Sequence, residues 1–233
     1  MEFDEKIELV SKLLNFASSN NNHGDLEDVR NITMDAIASS IQNYLIALKL
    51  STHLSDIKYL QENIWEGFVE NDLVDLDHNF NGFIKDAFYN ALFISIETNF
   101  RAIAKHFEAR ANTINKTSIK ETFEKLLSMI SFFAGITAYE RDVIIYFFYL
   151  RNTMHNFGIH TKPNHSLEIE DNTSVINKSK VKLELIQNQP NNITGKEQLL
   201  LIEQVIKVII RFNSLIPTAE RVKHPLADFD YNG

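Results

Sequence analysis

The residues best suited to chemistry stand where an apolar segment stops. Val143 to Leu150 is an unbroken run of eight apolar residues, and it gives way at once to Arg151, Asn152, His155, Asn156 and Gly158. On a helix, Arg151 and His155 are four apart and share a face, one turn from each other. An arginine beside a buried segment needs acceptors for its five donors. Something anionic must therefore meet it: an internal carboxylate, a partner subunit or a phosphate. A neutral imidazole next to a fixed cation is what a general base acting on a phosphate ester requires. Arg151 would then hold the phosphate and stabilise its developing charge, with Asn152 orienting either group. The same residues also suit a structural role, as a polar cap tying the helix to the β-hairpin expected after it.

Three further constellations bear on this one. Glu97 and Arg101 form a second i, i+4 pair, and Glu97 is the one acid in the stretch Phe93 to Phe100. It is the candidate carboxylate for positioning Arg151 without itself reacting. Asp77 to Ile84 matches the first eight positions of a calcium loop, but Phe88 stands where the bidentate carboxylate belongs; a turn feeding the next helix is expected there. His155, His160 and His165 recur every five residues with no clustered carboxylate or cysteine to complete a zinc site, so no metal is expected. His160 is instead a candidate substrate contact beside the motif. Neither a phosphate-cradling glycine loop nor Gly-x-Ser-x-Gly occurs, and no cofactor is expected.

The Arg-Asn-x-x-His-Asn-x-Gly pattern from Arg151 to Gly158, closing an apolar helix, resembles the HEPN (higher eukaryotes and prokaryotes nucleotide-binding) superfamily in a short-spaced form of its Arg…His motif. The resemblance implies an all-α, HEPN-like helical bundle with Arg151, Asn152 and His155 as the catalytic positions. It implies a metal-independent endoribonuclease that uses the ribose 2′-hydroxyl as nucleophile and leaves a cyclic phosphate. It further implies an RNA substrate and a homodimer whose two Arg/His pairs line one cleft. A role as toxin or effector in a bacterial defence or toxin–antitoxin system, with an antitoxin or other partner protein, goes with it. The alternative within the same fold is a non-catalytic interaction or regulatory module.

These residues must be positioned by helices. Apolar residues recur at spacings of three and four over 3–18, 25–50, a third helix carrying Ile57, Leu60, Ile64, Trp65 and Phe68, 83–111, 117–134, 138–156 and 196–213. Ser51 and Thr52 offer a cap for the third helix. Polar breaks are expected at 18–24 and 71–82, and Gly135 and Gly158 mark helix ends. The helix at 138–156 is apolar on every side, which predicts the central buried one. Residues 159–194 change period: Ser166 to Glu170 and Lys180 to Leu185 alternate, with Asp171, Asn172 and Asn177 for turns, predicting a small β-hairpin insert after the motif helix. The tail after Pro217 is expected to be extended.

Composition bounds the rest. The chain has 233 residues, 44% of them apolar and 23% charged, with only 7 Gly and 4 Pro, the profile of one folded helical domain. With no cysteine, disulfides, thiolate metal sites and cysteine nucleophiles are excluded. Net charge is −8. Residues 1–78 hold 15 acidic and 5 basic side chains, the remainder 16 and 18, a step that allows for an acidic N-terminal helical subdomain, 1–78. Overall acidity argues against a non-specific nucleic-acid coat but leaves room for a local cationic site. The cations among residues 101–125 (Arg101, Lys105, Arg110, Lys116, Lys120, Lys125) read as a solvated helix face. No stretch reaches the roughly 18 apolar residues of a membrane span, the N-terminus is too acidic for a targeting peptide, and a cytoplasmic protein is expected.

Overall fold

The computed structural model describes residues 1–20, 25, 27–111 and 114–224, the side chains of 109–111 excepted. Among these residues seven helices occur in order: α1 (Phe3–Ser19), α2 (Val29–Leu50), α3 (Ile57–Asn63), α4 (Asp72–Ala111), α5 (Ile119–Met129), α6 (Ala138–His155) and α7 (Gly195–Ser214). Between α6 and α7 lies one antiparallel hairpin, β1 (His165–Ile169) and β2 (Val181–Leu185). The fold is thus mainly helical with a small β insert. No helix among the described residues is long and apolar enough to cross a membrane.

The motif helix starts on a reciprocal cap. The Thr137 Oγ1 accepts from the Glu140 amide while the Glu140 carboxylate accepts from the Thr137 amide at 2.8 Å, satisfying donors that every helix N-terminus leaves free. Thr194 and Glu197 do the same for α7. At its other end α6 is closed by the Gly158 amide donating to the Thr153 carbonyl at 3.0 Å, the six-to-one bond of a Schellman motif. The left-handed turn begins one residue before the expected glycine: Phe157 has φ 55° and Gly158 φ 80°.

One apolar cluster runs through α1, α2, α4, α5, α6, the hairpin and α7. Phe100 packs against Phe123, Phe148 and Phe212, and Phe133 stacks on Phe212 at 3.9 Å. On the other side Tyr44 of α2 stacks on Phe88 of α4 at 4.4 Å. The hairpin turns Leu167, Ile169, Leu183 and Leu185 inward and Glu168, Lys182 and Glu184 outward, the period-two split its sequence predicts.

Several boundaries depart from the pattern. The polar break at 71–82 does not form: α4 runs unbroken for 40 residues from Asp72, so the partial calcium-loop match is helical and the charge step near residue 78 falls inside a helix. A mid-helix Gly82 costs about 1 kcal/mol, which burial of Ile84 and Phe88 and the packing of Phe80 against the core offset. Asp72 and Asp75 in the first turn favour the start. Ser51 to Ser55 form a 3-10 turn, and Asp56, not Ser51 or Thr52, caps α3. That helix ends at Asn63 and leaves Ile64 and Trp65 exposed. Residues 131–135 tighten into a second 3-10 turn instead of continuing α5. Nor is α6 alone central. α7 is buried around most of its circumference, Glu203 and Gln204 included.

Glu203 is fully buried and its carboxylate accepts from the Ser174 hydroxyl at 2.5 Å and the Val175 and Ile176 amides, while pairing with Lys207 at 2.9 Å. Lys207 in turn holds Asp171 at 2.5 Å. This network pins the hairpin's connecting loop to α7. After Pro217 the chain turns and runs back along the start of α2, the Val29 amide donating to the Val222 carbonyl and the His224 amide to the Glu27 carbonyl. Residues 21–24, most of the expected break at 18–24, and the tail 225–233 lie outside the described residues.

Candidate functional site

Arg151 and Asn152 open, with Phe148 and Tyr149 one turn earlier on α6, onto a cavity of about 440 Å³ walled by Phe93, Glu97 and Arg101 of α4, by Thr117 to Lys120 at the start of α5, and by Lys162 of the hairpin's approach. Four cations and one carboxylate line it, and the N-terminal end of α5 adds the positive end of a helix dipole.

The cations are not equivalent. Arg101 is fully engaged: its Nε donates to Glu97 at 2.7 Å, Nη1 to the Asn115 side chain at 3.0 Å and the Lys116 carbonyl at 2.8 Å, and Nη2 to the Thr117 carbonyl at 3.0 Å. It latches the segment entering α5. Lys120 lies over the Tyr149 ring at 5.1 Å and donates to its hydroxyl at 2.9 Å, a contact that leaves its charge uncancelled. Lys162 is exposed and meets no acceptor among the described residues. Arg151 stands over Phe93, its Cζ 4.5 Å from the ring centroid. Its Nε is shut from solvent without a hydrogen-bond partner, and its other nitrogens pair with nothing among the described residues. The sequence asks for an anion at Arg151, and the fold supplies a ring instead.

The remaining expected positions separate from that cavity. Glu97 lines it but bonds to Arg101: the i, i+4 partner on its own helix takes the carboxylate, while Arg151 is drawn onto Phe93, one turn earlier. His155 is the last residue of α6, exposed and outside the cavity's lining. His160 is 1% exposed with both ring nitrogens engaged, Nδ1 with the Thr153 hydroxyl and Nε2 with the Pro163 carbonyl, each at 3.0 Å. In this arrangement it has no nitrogen left for a substrate and serves to tie the hairpin's root to α6. His165 packs its ring against Tyr146 and Tyr149. Its burial pushes its pKa down, with Asp142 pulling back and Lys120 adding to the fall. Among the described residues no three of His, Asp and Glu gather as a metal-ligand set.

Lys120 and Lys162 join the site from elements the motif does not announce. Lys120 belongs to the run of cations read as solvated, and the only hint of its role is its place just after a Ser118 cap. The Arg110 side chain of that run lies outside those described.

No protein-family model matches this chain, and comparison with curated proteins and with solved structures likewise finds no match.

Proposed function

We propose that this protein binds RNA through its phosphodiester backbone and cleaves it as a HEPN-type, metal-independent endoribonuclease, working as a homodimeric effector of a defence or toxin–antitoxin system. The observation that carries the phosphate-binding half is Arg151: an arginine without an anionic partner, flanked by Lys120 and Lys162 in one cavity. An uncompensated guanidinium is costly to keep in a fold, and a bound phosphate satisfies it with charge-assisted bonds. The Arg151–His155 resemblance carries the cleavage half. His155 takes the proton from a 2′-hydroxyl, the freed oxygen bonds to phosphorus, the bond to the 5′-oxygen breaks, and that oxygen takes a proton from water. Arg151 holds the charge building on the phosphoryl oxygens, and Asn152 orients the group.

His155's place outside the cavity favours a second reading, a phosphate- or RNA-binding module that does not cut. One experiment separates them. Purified protein is incubated with structured and single-stranded RNA in excess EDTA, beside Arg151→Ala and His155→Ala. Cleavage by the wild type alone, leaving cyclic phosphate ends, supports the nuclease. RNA binding lost in Arg151→Ala with no cleavage by any form supports the module. Wild-type affinity in Arg151→Ala together with no cleavage by any form removes both. Expression in a bacterial host tests the effector role: the wild type should arrest growth and both variants should not.

A further inference from the structure

Phe157 is 99% exposed, and it occupies a left-handed backbone position with φ 55°. Both features are unfavourable. This conformation costs a side-chain-bearing residue about 1–2 kcal/mol, and the same position in other helix ends is filled by glycine, which this chain has one residue later. A large aromatic ring held fully in water in a strained turn gains nothing for the fold. Such an outlier points to work done on something outside it.

Its surroundings say what that is. The Asn156 amide group donates to the Thr161 hydroxyl at 3.2 Å, drawing closed the loop 156–161 that carries Phe157. Both shoulders of this loop belong to the cationic cavity, Asn152 before it and Lys162 directly after it. Chain geometry keeps the Cα atoms of Asn152 and Phe157 within about 13 Å. Asn156, Thr161, Lys162 and Asn164 along this loop are polar and exposed, and Ile159, Pro163 and the adjoining Ile186 and Pro190 are exposed as well. A protein-docking surface centres on a contiguous apolar patch. What selects a nucleic acid here is the cavity: a ring on the loop that joins Asn152 to Lys162, beside three cations free of carboxylate partners, matches a stacking platform next to a phosphate groove.

We infer that Phe157 stacks on an unpaired base of a single-stranded nucleic acid whose phosphate is held by Arg151, Lys120 and Lys162. The inference rests on the phosphate-binding reading above and narrows its ligand to an unstacked, single-stranded segment. Specificity at this contact is for a base of any identity over none, because every base offers a ring face.

The test uses a fluorescent ten-residue oligoadenylate with 2′-O-methyl riboses, which cannot be cut through the 2′-oxygen, and an abasic oligomer of the same length, both in EDTA at low salt. Phe157→Ala should weaken oligoadenylate binding about tenfold to a hundredfold and leave abasic binding unchanged, while Phe157→Trp keeps or strengthens the former. Phe157→Gly should lose the same affinity with a melting temperature equal to or above the wild type, since glycine relieves the turn. Equal weakening for both oligomers, or no weakening, overturns the inference. Loss of binding in Arg151→Ala alone removes Phe157's role and leaves the phosphate site standing; wild-type binding by Arg151→Ala removes the site itself. A wild type that is dimeric and a Phe157→Ala that is monomeric with unchanged oligomer affinity would assign the ring to a second copy of the chain, and overturn it too.

Discussion

Replacing Arg151 by methionine separates a functional arginine from a structural one. In the wild type the buried Nε makes no hydrogen bond, a deficit of about 1–3 kcal/mol that the substitution removes. The loss is the contact of the guanidinium with Phe93 at 4.5 Å, about 0.5–2 kcal/mol. The methionine sulfur recovers about 0.3–1.5 kcal/mol of that against the same ring. The balance runs from about 0.7 kcal/mol against to about 3 kcal/mol in favour of Arg151→Met, centred at about 1 kcal/mol in its favour. At about 2–4 °C per kcal/mol for a chain of this size, the melting temperature should hold or rise by several degrees. An arginine paired inside the fold would behave oppositely, losing about 3–5 kcal/mol when its partner is stranded. Calorimetry and urea titration of both proteins give the difference. Added pyrophosphate or short RNA should raise the wild-type midpoint by mass action and leave that of Arg151→Met unmoved. A variant destabilised by more than about 2 kcal/mol, or one that pyrophosphate still stabilises, would refute the assignment of Arg151 to an external anion.

Glu203→Ala should cost about 2–5 kcal/mol, because it opens a buried cavity and leaves the Ser174 hydroxyl and Val175 amide without their acceptor, while Lys207 keeps its pair with Asp171. Glu203→Gln should cost less, as it keeps an acceptor oxygen, and the urea midpoints of the two variants check the order. Asp171 is held well below the usual carboxylate range: burial pushes it up, but the bonds from Lys207, Thr173 and Gln204 outweigh that. Its contribution is present above the unfolded pKa and lost as pH falls through the folded one, so between about pH 4 and 2 the wild type should lose more stability than Asp171→Asn. His165 titrates in a higher window. Its folded pKa lies below the unfolded value because of burial, so the unfolded chain binds the proton first and stability falls as pH drops below about 6.5. His165→Phe should flatten that fall relative to the wild type, read as the urea midpoint at about pH 7.5 and about pH 5.5, on either side of the ordinary histidine value.

What could be read along the chain is what local physics decides. The three-to-four spacing of apolar residues predicts helices over 138–156 and 196–213, which form as Ala138–His155 and Gly195–Ser214, and alternation predicts strands over 166–170 and 180–185, which pair as 165–169 and 181–185. The motif's place at the end of α6 is local in the same way. Tertiary packing decided the rest, wherever a long-range partner overrode a local preference. Asn79 to Gly82 reads as a turn but is helical because its neighbours Phe80 and Ile84 are committed to the core. The left-handed position fell to Phe157 because the bond from Gly158 to Thr153 sets the turn's geometry. Glu203 looks like a surface acid, and beyond its pair with Lys207 one turn on, the Ser174–Ile176 segment arriving from across the fold supplies the donors that make its burial tolerable. The cavity itself is the clearest case. Arg151 lacks an anion because Glu97 is engaged by Arg101, and Lys120 and Lys162 join it from α5 and the hairpin's approach. Charge converging from separate elements has no periodicity to betray it, since it depends on how the helices cross and not on what each one contains.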